Sequence, residues 1–261
     1  MAFEQGIRLK KKFGQHFLKE QWVIDNMLQN VDLNETSSVF EIGGGSGFLT
    51  RAILKTKIAR LWVFEIDSDW VNYLQSNIKD KRLTVHHENI LDLDFDLFKP
   101  YQPWTLLANL PYQITFPILY KIQENRALIK EGVIMVQEEV AQKILKQSGK
   151  DYGYVSLFFQ HYFDWKLLDK ISPAAFNPPP KVYSRLLYFK PKQILTPIKD
   201  EENFWKFVKI CFRQPRRTLR NNLIQAHYNL DNLDHNVLNL RAQQIDMVGL
   251  LNLWNKIDYK P

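Results

Sequence analysis

The 261-residue chain has a single cysteine, Cys211. One thiol can form neither an internal disulfide nor a cysteine-rich zinc site, and a reducing compartment is its simplest home. The six histidines lack ligand spacing, since His86 and His87 are adjacent and point to opposite faces of any strand. No metal is expected. No apolar run approaches the roughly 18 residues of a membrane span, and the opening MAFEQGIRLKKK carries charge with no apolar stretch behind it. A cytoplasmic, monomeric protein without membrane attachment is expected. Glycine is scarce, with ten residues in all, and four of them fall within five positions.

With 45% hydrophobic and 24% charged residues, the chain is an ordinary globular protein long enough for a large domain with a small appendage. Basic residues exceed acidic ones by seven, and the excess sits at the ends. Residues 1–20 hold five basic against two acidic groups, residues 196–261 ten against seven, and the stretch between twenty against nineteen. A nearly neutral body with cationic ends suits a protein that grips a polyanion, nucleic acid being the leading candidate. Surplus lysine on a solvated face would give the same total.

A basic arm and a helix with Trp22, Val23, Met27 and Leu28 at amphipathic spacing open the chain. Strands and helices then alternate. Ser38 to Ile42 reads as a strand, Gly43 to Gly47 as a turn and Phe48 to Leu54 as a helix; Leu61 to Phe64 is a second strand and Trp70 to Ile78 a second helix. Leu83 to Val85, Trp104 to Ala108 and Gly132 to Val136 continue as buried strands, with a helix from Glu138 to Lys146. Phe163 to Leu168 and Val182 to Phe189 suit an added antiparallel pair. The pattern predicts an α/β, Rossmann-like fold with a doubly wound, mostly parallel sheet. From Thr196 onward the spacing is helical, so a catalytic domain over 1–195 and a helical RNA-binding domain over 196–261 are expected. The seven tryptophans are spread evenly and read as core residues.

The glycine cluster lies between a strand and a helix, where bare backbone lets a ligand approach the carboxyl end of a parallel sheet. A phosphate-cradling loop would end in Gly-Lys-Ser/Thr, but Ser46-Gly47-Phe48 stands here. A dinucleotide turn would need a glycine where Phe48 stands. What remains, Glu41-x-Gly43-x-Gly45-x-Gly47, resembles the first motif of S-adenosylmethionine-dependent methyltransferases; a tight turn without ligand is the bland alternative. Glu65 ends the second strand 22 residues after Gly43, where a carboxylate can accept from two ribose hydroxyls. Asp67 reads as a helix cap.

Asn109-Leu110-Pro111-Tyr112 follows directly on the fourth strand. An exocyclic amine is a poor nucleophile because its lone pair is delocalised into the ring. The Asn109 side-chain oxygen and the Leu110 carbonyl can accept its two N–H groups and favour a pyramidal nitrogen. Pro111 fixes the turn, and Tyr112 offers a flat face to a base drawn out of its stack. Taken alone, the tetrapeptide would also pass for a simple turn.

Taken together, the motifs resemble the ribosomal RNA adenine N6-dimethyltransferase family, above all its small-subunit branch. They run through Lys12 to Leu18, Glu41 to Thr50, Phe64 to Asp67, Asn109 to Tyr112, Gln137 to Ile144 with Tyr152-Gly153, Phe176 to Val182 and Arg216 to Asn221. The resemblance implies transfer of methyl groups from S-adenosyl-L-methionine to N6 of two adjacent adenines in the 3'-terminal hairpin loop of small-subunit rRNA, within a maturing small ribosomal subunit. It further implies that His16 and Leu18 line the cofactor pocket with Gly43, Gly45, Gly47, Glu65 and Asn109, and that Phe176 clamps the target base opposite Tyr112. At Asn89 the chain departs from the family, which usually places an acidic residue there to accept from the cofactor's adenine amine. Asn89 keeps a carbonyl acceptor and loses the charge. Lys10, Lys11 and Lys12 and the cluster Arg213, Arg216, Arg217 and Arg220 are the expected RNA contacts, with Arg216, Arg217 and Arg220 placed within one helical turn. A large-subunit rRNA methylase and a ribosome-assembly factor with little catalysis remain as alternatives.

Overall fold

The computed structural model describes residues 3–10 and 13–257, and Lys11 and Lys12 lie outside them. A seven-stranded sheet organises the chain. Five parallel strands, β4 (Ser38–Ile42), β5 (Arg60–Glu65), β6 (Leu83–His87), β7 (Trp104–Asn109) and β8 (Ile129–Gln137), are joined by β9 (Phe163–Ile171) and β11 (Ser184–Pro191) in the order β6-β5-β4-β7-β8-β11-β9. β11 runs antiparallel to β8. All five residues of β4 are buried, as a central strand covered on both faces requires. Strand order reverses between β4 and β7, and open α/β sheets form their ligand crevice at the carboxyl ends beside such a point.

Two short pairings are not legible in the pattern. The basic arm includes a two-residue ribbon, β1 (Phe3–Glu4) with β2 (Ile7–Arg8), and β3 (Phe17–Leu18) pairs antiparallel with β10 (Phe176–Asn177). Helix α1 (Gln21–Gln29) buries Val23, Ile24 and Met27 against the sheet core, which includes Val39, Leu107, Met135 and Leu186. Trp22, expected in the core, is 47% exposed. Its neighbour Val23 takes the inward position on the helix, so the bulky ring is left on the outer side.

Helix α2 (Phe48–Leu54) starts from Gly47, whose backbone is left-handed at φ +77°, and α3 (Ser68–Asn77) starts from Asp67, whose carboxylate accepts from Asp69 N at 3.2 Å. Asp67 is thus the cap expected of it. Helices α4 (Thr115–Glu124) and α5 (Glu138–Leu145) follow β7 and β8.

The chain separates into two compact units, residues 1–141 with 164–191, and residues 142–163 with 192–261. The second unit takes up α6 (Tyr154–Tyr162), a helix the pattern did not reveal, together with α7 (Glu201–Cys211), α8 (Leu219–Ile224), α9 (His235–Leu238) and α10 (Met247–Trp254). Its aromatic centre joins Phe158, Tyr162, Phe204, Phe207 and Trp254 around Trp205 and its neighbours, and the Trp205 indole N–H donates to the Tyr162 hydroxyl at 2.9 Å. Cys211 is fully buried there, and burial pushes its thiol pKa up. Among the described residues no helix is long and apolar enough to cross a membrane, and no cluster of acidic, histidine or cysteine residues suits a metal.

Gly132 on β8 shows how closely the sheet is filled. A Cβ there would lie 2.6 Å from the Leu106 carbonyl oxygen and 2.6 Å from Cε1 of Phe189, whose ring covers the glycine from the paired strand. Gly132→Ala is expected to destabilise the protein by about 1–3 kcal/mol through overpacking. Urea unfolding checks this, and an unchanged midpoint would mean that the Phe189 ring yields freely.

Candidate active site

The carboxyl ends of β4, β5, β6 and β7 open into one cleft. Its lining includes His16 and Leu18 from the N-terminal segment, Gly43 and Gly45 after β4, Glu65 at the end of β5, Asn89 after β6, and Asn109, Leu110, Pro111 and Tyr112 at the end of β7. Apart from His16 and Leu18, which lie at the short pairing of β3 with β10, these residues meet because each sits at or just after the carboxyl end of a strand of the sheet.

The glycine turn is built around left-handed backbone at Gly43 (φ +78°) and Gly45 (φ +48°). A side chain at Gly45 would also strike the Phe17 ring, since a Cβ there would lie 2.6 Å from Cε1 of that ring. Gly47 does not line the cleft; it starts α2 and packs toward Arg51, Leu74 and Ile78, so its expected ligand role becomes one of turn and cap. Gly44 and Ser46 take its place in the lining.

Glu65 is 7% exposed, and its carboxylate accepts from Gly45 N at 3.0 Å and from Asp67 N at 2.9 Å. Ile66 supplies a third backbone hydrogen bond, so of a carboxylate's roughly four acceptor directions about one is left toward the cleft. Burial raises its pKa, opposed by those backbone hydrogen bonds. Glu41 lies deeper and is 1% exposed, with the Thr50 hydroxyl donating to Oε2 at 2.7 Å. Burial, opposed by Thr50 and reinforced by Glu65, pushes its pKa up to about 8. The first motif contained Glu41, but only its burial in the cleft marks it as a site residue. Asn89 accepts from Leu91 N through Oδ1 at 3.2 Å and donates through Nδ2 to Asp92 at 2.8 Å. Its carbonyl retains one acceptor direction.

Asn109 donates through Nδ2 to the His16 carbonyl at 3.2 Å, which orients the amide and leaves Oδ1 without a protein partner among the described residues. The His16 ring lies 5.9 Å from that of Tyr112 at an interplanar angle of 23°, and its Nδ1 is 2.8 Å from the Pro178 carbonyl. A carbonyl only accepts, so Nδ1 carries the proton.

Three expectations need correction. Phe176 does not face Tyr112; it is 2% exposed, pairs with Leu18 across β10 and β3, and packs in the sheet core, while His16 holds the position beside the tyrosine ring. Lys10 is not free for phosphate, because its ammonium is bound to Asp67 at 2.5 Å and Asp69 at 2.7 Å. Arg216 and Arg217 precede α8, which Thr218 caps, so only Arg220 of the three lies on the helix. Arg213, Arg216, Arg217 and Arg220 are all exposed.

A glycine turn after the first strand, an acid at the end of the second and a cleft at the switch point define a Rossmann-like, class I S-adenosylmethionine-dependent methyltransferase. Buried carboxylates, bare backbone and amide acceptors fit a cofactor that combines two positive centres with an adenosine. The chain belongs to the ribosomal RNA adenine dimethylase family, whose sequence profile matches residues 6–252. It is 40% identical over 236 residues to a ribosomal RNA small subunit methyltransferase A of Syntrophotalea carbinolica, covering 88% of each chain. It is 36% identical over 250 residues to the protein of that name from Mesomycoplasma hyopneumoniae, covering 94% of each. In fold it resembles a dimethyladenosine transferase from Plasmodium falciparum, with a TM-score of 0.78 at 23% identity, over 91% of this chain and 96% of that one. The cofactor is S-adenosyl-L-methionine, and the protein is an rRNA adenine methyltransferase.

Because folded Glu41 holds its proton up to about 8 against an ordinary 4.5, the folded state binds more protons than the unfolded state between those values, and stability falls as pH rises through that window. Glu41→Gln removes the effect. Urea melts are expected to show the variant gaining on the parent from pH 5 to pH 8 (about the span between the two values), and parallel curves would place the charge elsewhere.

Proposed function

We propose that the protein dimethylates N6 of two adjacent adenines in the 3'-terminal hairpin loop of small-subunit rRNA, acting in the cytoplasm on the maturing small subunit. The observation that carries this reading is Asn109, its amide turned by the His16 carbonyl so that Oδ1 is left for a donor in the cleft. Relatives named for the small subunit, matched over nearly their whole length, support the choice of rRNA. The large-subunit alternative shares the fold, as the 23S rRNA methyltransferase ErmE does at a TM-score of 0.68 and 22% identity, but fold alone does not choose a substrate. An assembly factor with little catalysis would not need the Asn109 geometry. In this reading the protein acts as a monomer.

When bound, the cofactor supplies an electrophilic methyl group. The protein supplies position. Glu65 receives the ribose through the acceptor capacity its backbone partners leave, and Asn89 receives the adenine amine through Oδ1. Gly43 and Gly45 let the ligand reach the backbone, and His16 and Leu18 close the cleft from the N-terminal side. The target adenine lies against Tyr112, and its amine donates to Asn109 Oδ1 and the Leu110 carbonyl. Both acceptors gain strength as the nitrogen becomes pyramidal and positive, so they act mainly on the transition state. Pro111 holds the turn that brings them together.

Asn109→Ala is expected to lower methyl transfer by roughly 100-fold or more, the scale of a lost transition-state hydrogen-bond partner, with cofactor affinity nearly unchanged. Single-turnover methylation of small subunits, with mass mapping of the modified adenines, tests both residue and substrate. Parental rates in the variant would reduce Asn109 to a turn residue, and modification confined to large-subunit RNA would replace the substrate.

Arg213, Arg216, Arg217 and Arg220 are the RNA contacts of this reading. Replacing any one with Gln is expected to reduce the log K versus log salt slope by roughly 0.7 to 0.9 while leaving cofactor affinity alone. A salt titration of RNA binding reads this directly, and slopes equal to the parent's in all four would mark the cluster as a solvated face.

A further inference from the structure

Ser184 is a fully buried hydroxyl at the start of β11, opposite Gln137 at the end of β8. Serine is a weak strand former, and burying a hydroxyl without a partner costs on the order of 1–3 kcal/mol. Among the described residues its Oγ has one side-chain partner, the Tyr112 hydroxyl, at 2.5 Å. The bond joins positions 72 residues apart in sequence. Burial raises the pKa of the Tyr112 phenol, so both hydroxyls are neutral at ordinary pH and either can donate.

The consequence for Tyr112 is geometric. Its Cβ is fixed by the short 3-10 turn Tyr112–Ile114 that follows Pro111. A tyrosine held at both the Cβ and the hydroxyl cannot swing about its first side-chain torsion; only the spin of its ring remains, and the nearby His16 ring limits that. A plate meant to receive a base drawn from its stack needs this restraint, because a displacement of about 1 Å at the reacting nitrogen can cost 100-fold in rate.

We propose that Ser184 is a positioning residue for methyl transfer: through its hydrogen bond to the Tyr112 hydroxyl it holds the aromatic plate at the angle that sets the target amine against Asn109. This rests on the reading of Tyr112 as the base platform. Ser184 does not line the cleft, so its effect passes through Tyr112 alone. The restraint acts on the geometry of the reacting complex, and its loss falls on kcat rather than on cofactor affinity or on KM for RNA.

The test is a double-mutant cycle of Ser184→Ala, Tyr112→Phe and both together, read by single-turnover methylation at saturating RNA and cofactor, with cofactor calorimetry and thermal melting alongside. Each single variant is expected to lower kcat about 10-fold, equivalent to one ordinary hydrogen bond at 1.4 kcal/mol per decade, and the double variant to fall no further. KM for RNA and cofactor affinity are expected within about 2-fold of the parent. Parental kcat in Ser184→Ala, additive losses, or a loss confined to cofactor affinity would each overturn the proposal. Should Ser184→Ala fail to fold, Tyr112→Phe breaks the same bond from the cleft side and leaves the strand intact; parental kcat there overturns the proposal equally. Tyr112→Ala separates the two layers of the argument. If it loses activity while Ser184→Ala and Tyr112→Phe do not, only the positioning role fails, whereas a fully active Tyr112→Ala removes the platform itself.

Discussion

Glu65 is the joint on which the site depends. One oxygen accepts from Gly45 and thereby holds the glycine turn; the other accepts from Asp67 and holds the entry to α3. Asp67 in turn binds Lys10 at 2.5 Å and Gln15 at 3.0 Å, so the N-terminal segment is tied to the same point. A buried carboxylate that accepts backbone N–H groups on both oxygens offsets much of its desolvation cost. Removing it would leave the backbone donors of Gly45, Ile66 and Asp67 without this partner and a cap residue without its support. The carboxylate that lines the cleft is therefore also the group that shapes the turn, so a change at this position alters the local backbone as well as the cleft wall.

His16 plays the corresponding part on the substrate side. Its carbonyl orients Asn109, its ring lies beside Tyr112, and its Nδ1 holds the Pro178 carbonyl. The pairing of Phe17 and Leu18 with Asn177 and Phe176 fixes this segment against the sheet. The stretch from Gln15 to Leu18 is thus tied down at each residue, by Asp67, by Asn109 and Pro178, and by the strand pairing, which holds the Asn109 amide in one orientation. Phe176 contributes from beneath, as packing for the strand that carries Leu18.

The parallel sheet was legible because its strands are short, continuously apolar runs bounded by turns, and because Gly43 to Gly47, Glu65 and Asn109 to Tyr112 each sit at a strand end, where side chains of those types have little packing value. The parts that were not legible depend on partners distant in sequence. Nothing local to Ser184 announces Tyr112, and the two-residue strands around Phe17 and Phe176 are too short for periodicity to register. Family likeness places Phe176 at the base, yet an aromatic residue on a buried strand packs into the core. The three arginines were read as one helical turn because the spacing permits it, and Thr218, a stronger N-terminal signal than any arginine, starts the helix after two of them. Helix α6 carries no amphipathic stripe, because Leu157, Phe158, Phe159 and Tyr162 are buried on most of its sides.

Lys10 shows why net charge overstates an RNA footprint. Its ammonium neutralises Asp67, which is 1% exposed, and Asp69, so it contributes structure where the composition counts a free cation. The exposed arginines of the helical unit differ: among the described residues Arg220 approaches the ring of His235, at 3.4 Å, and carries no carboxylate partner there. Counterion release scales with phosphates actually neutralised, not with the formal surplus of basic residues. A cation already paired with two carboxylates would have to give up both before meeting a phosphate, whereas an arginine in solvent gives up only water. Lys10 therefore belongs to the architecture of the cleft, and its charge is not part of the exposed basic surface of the helical unit.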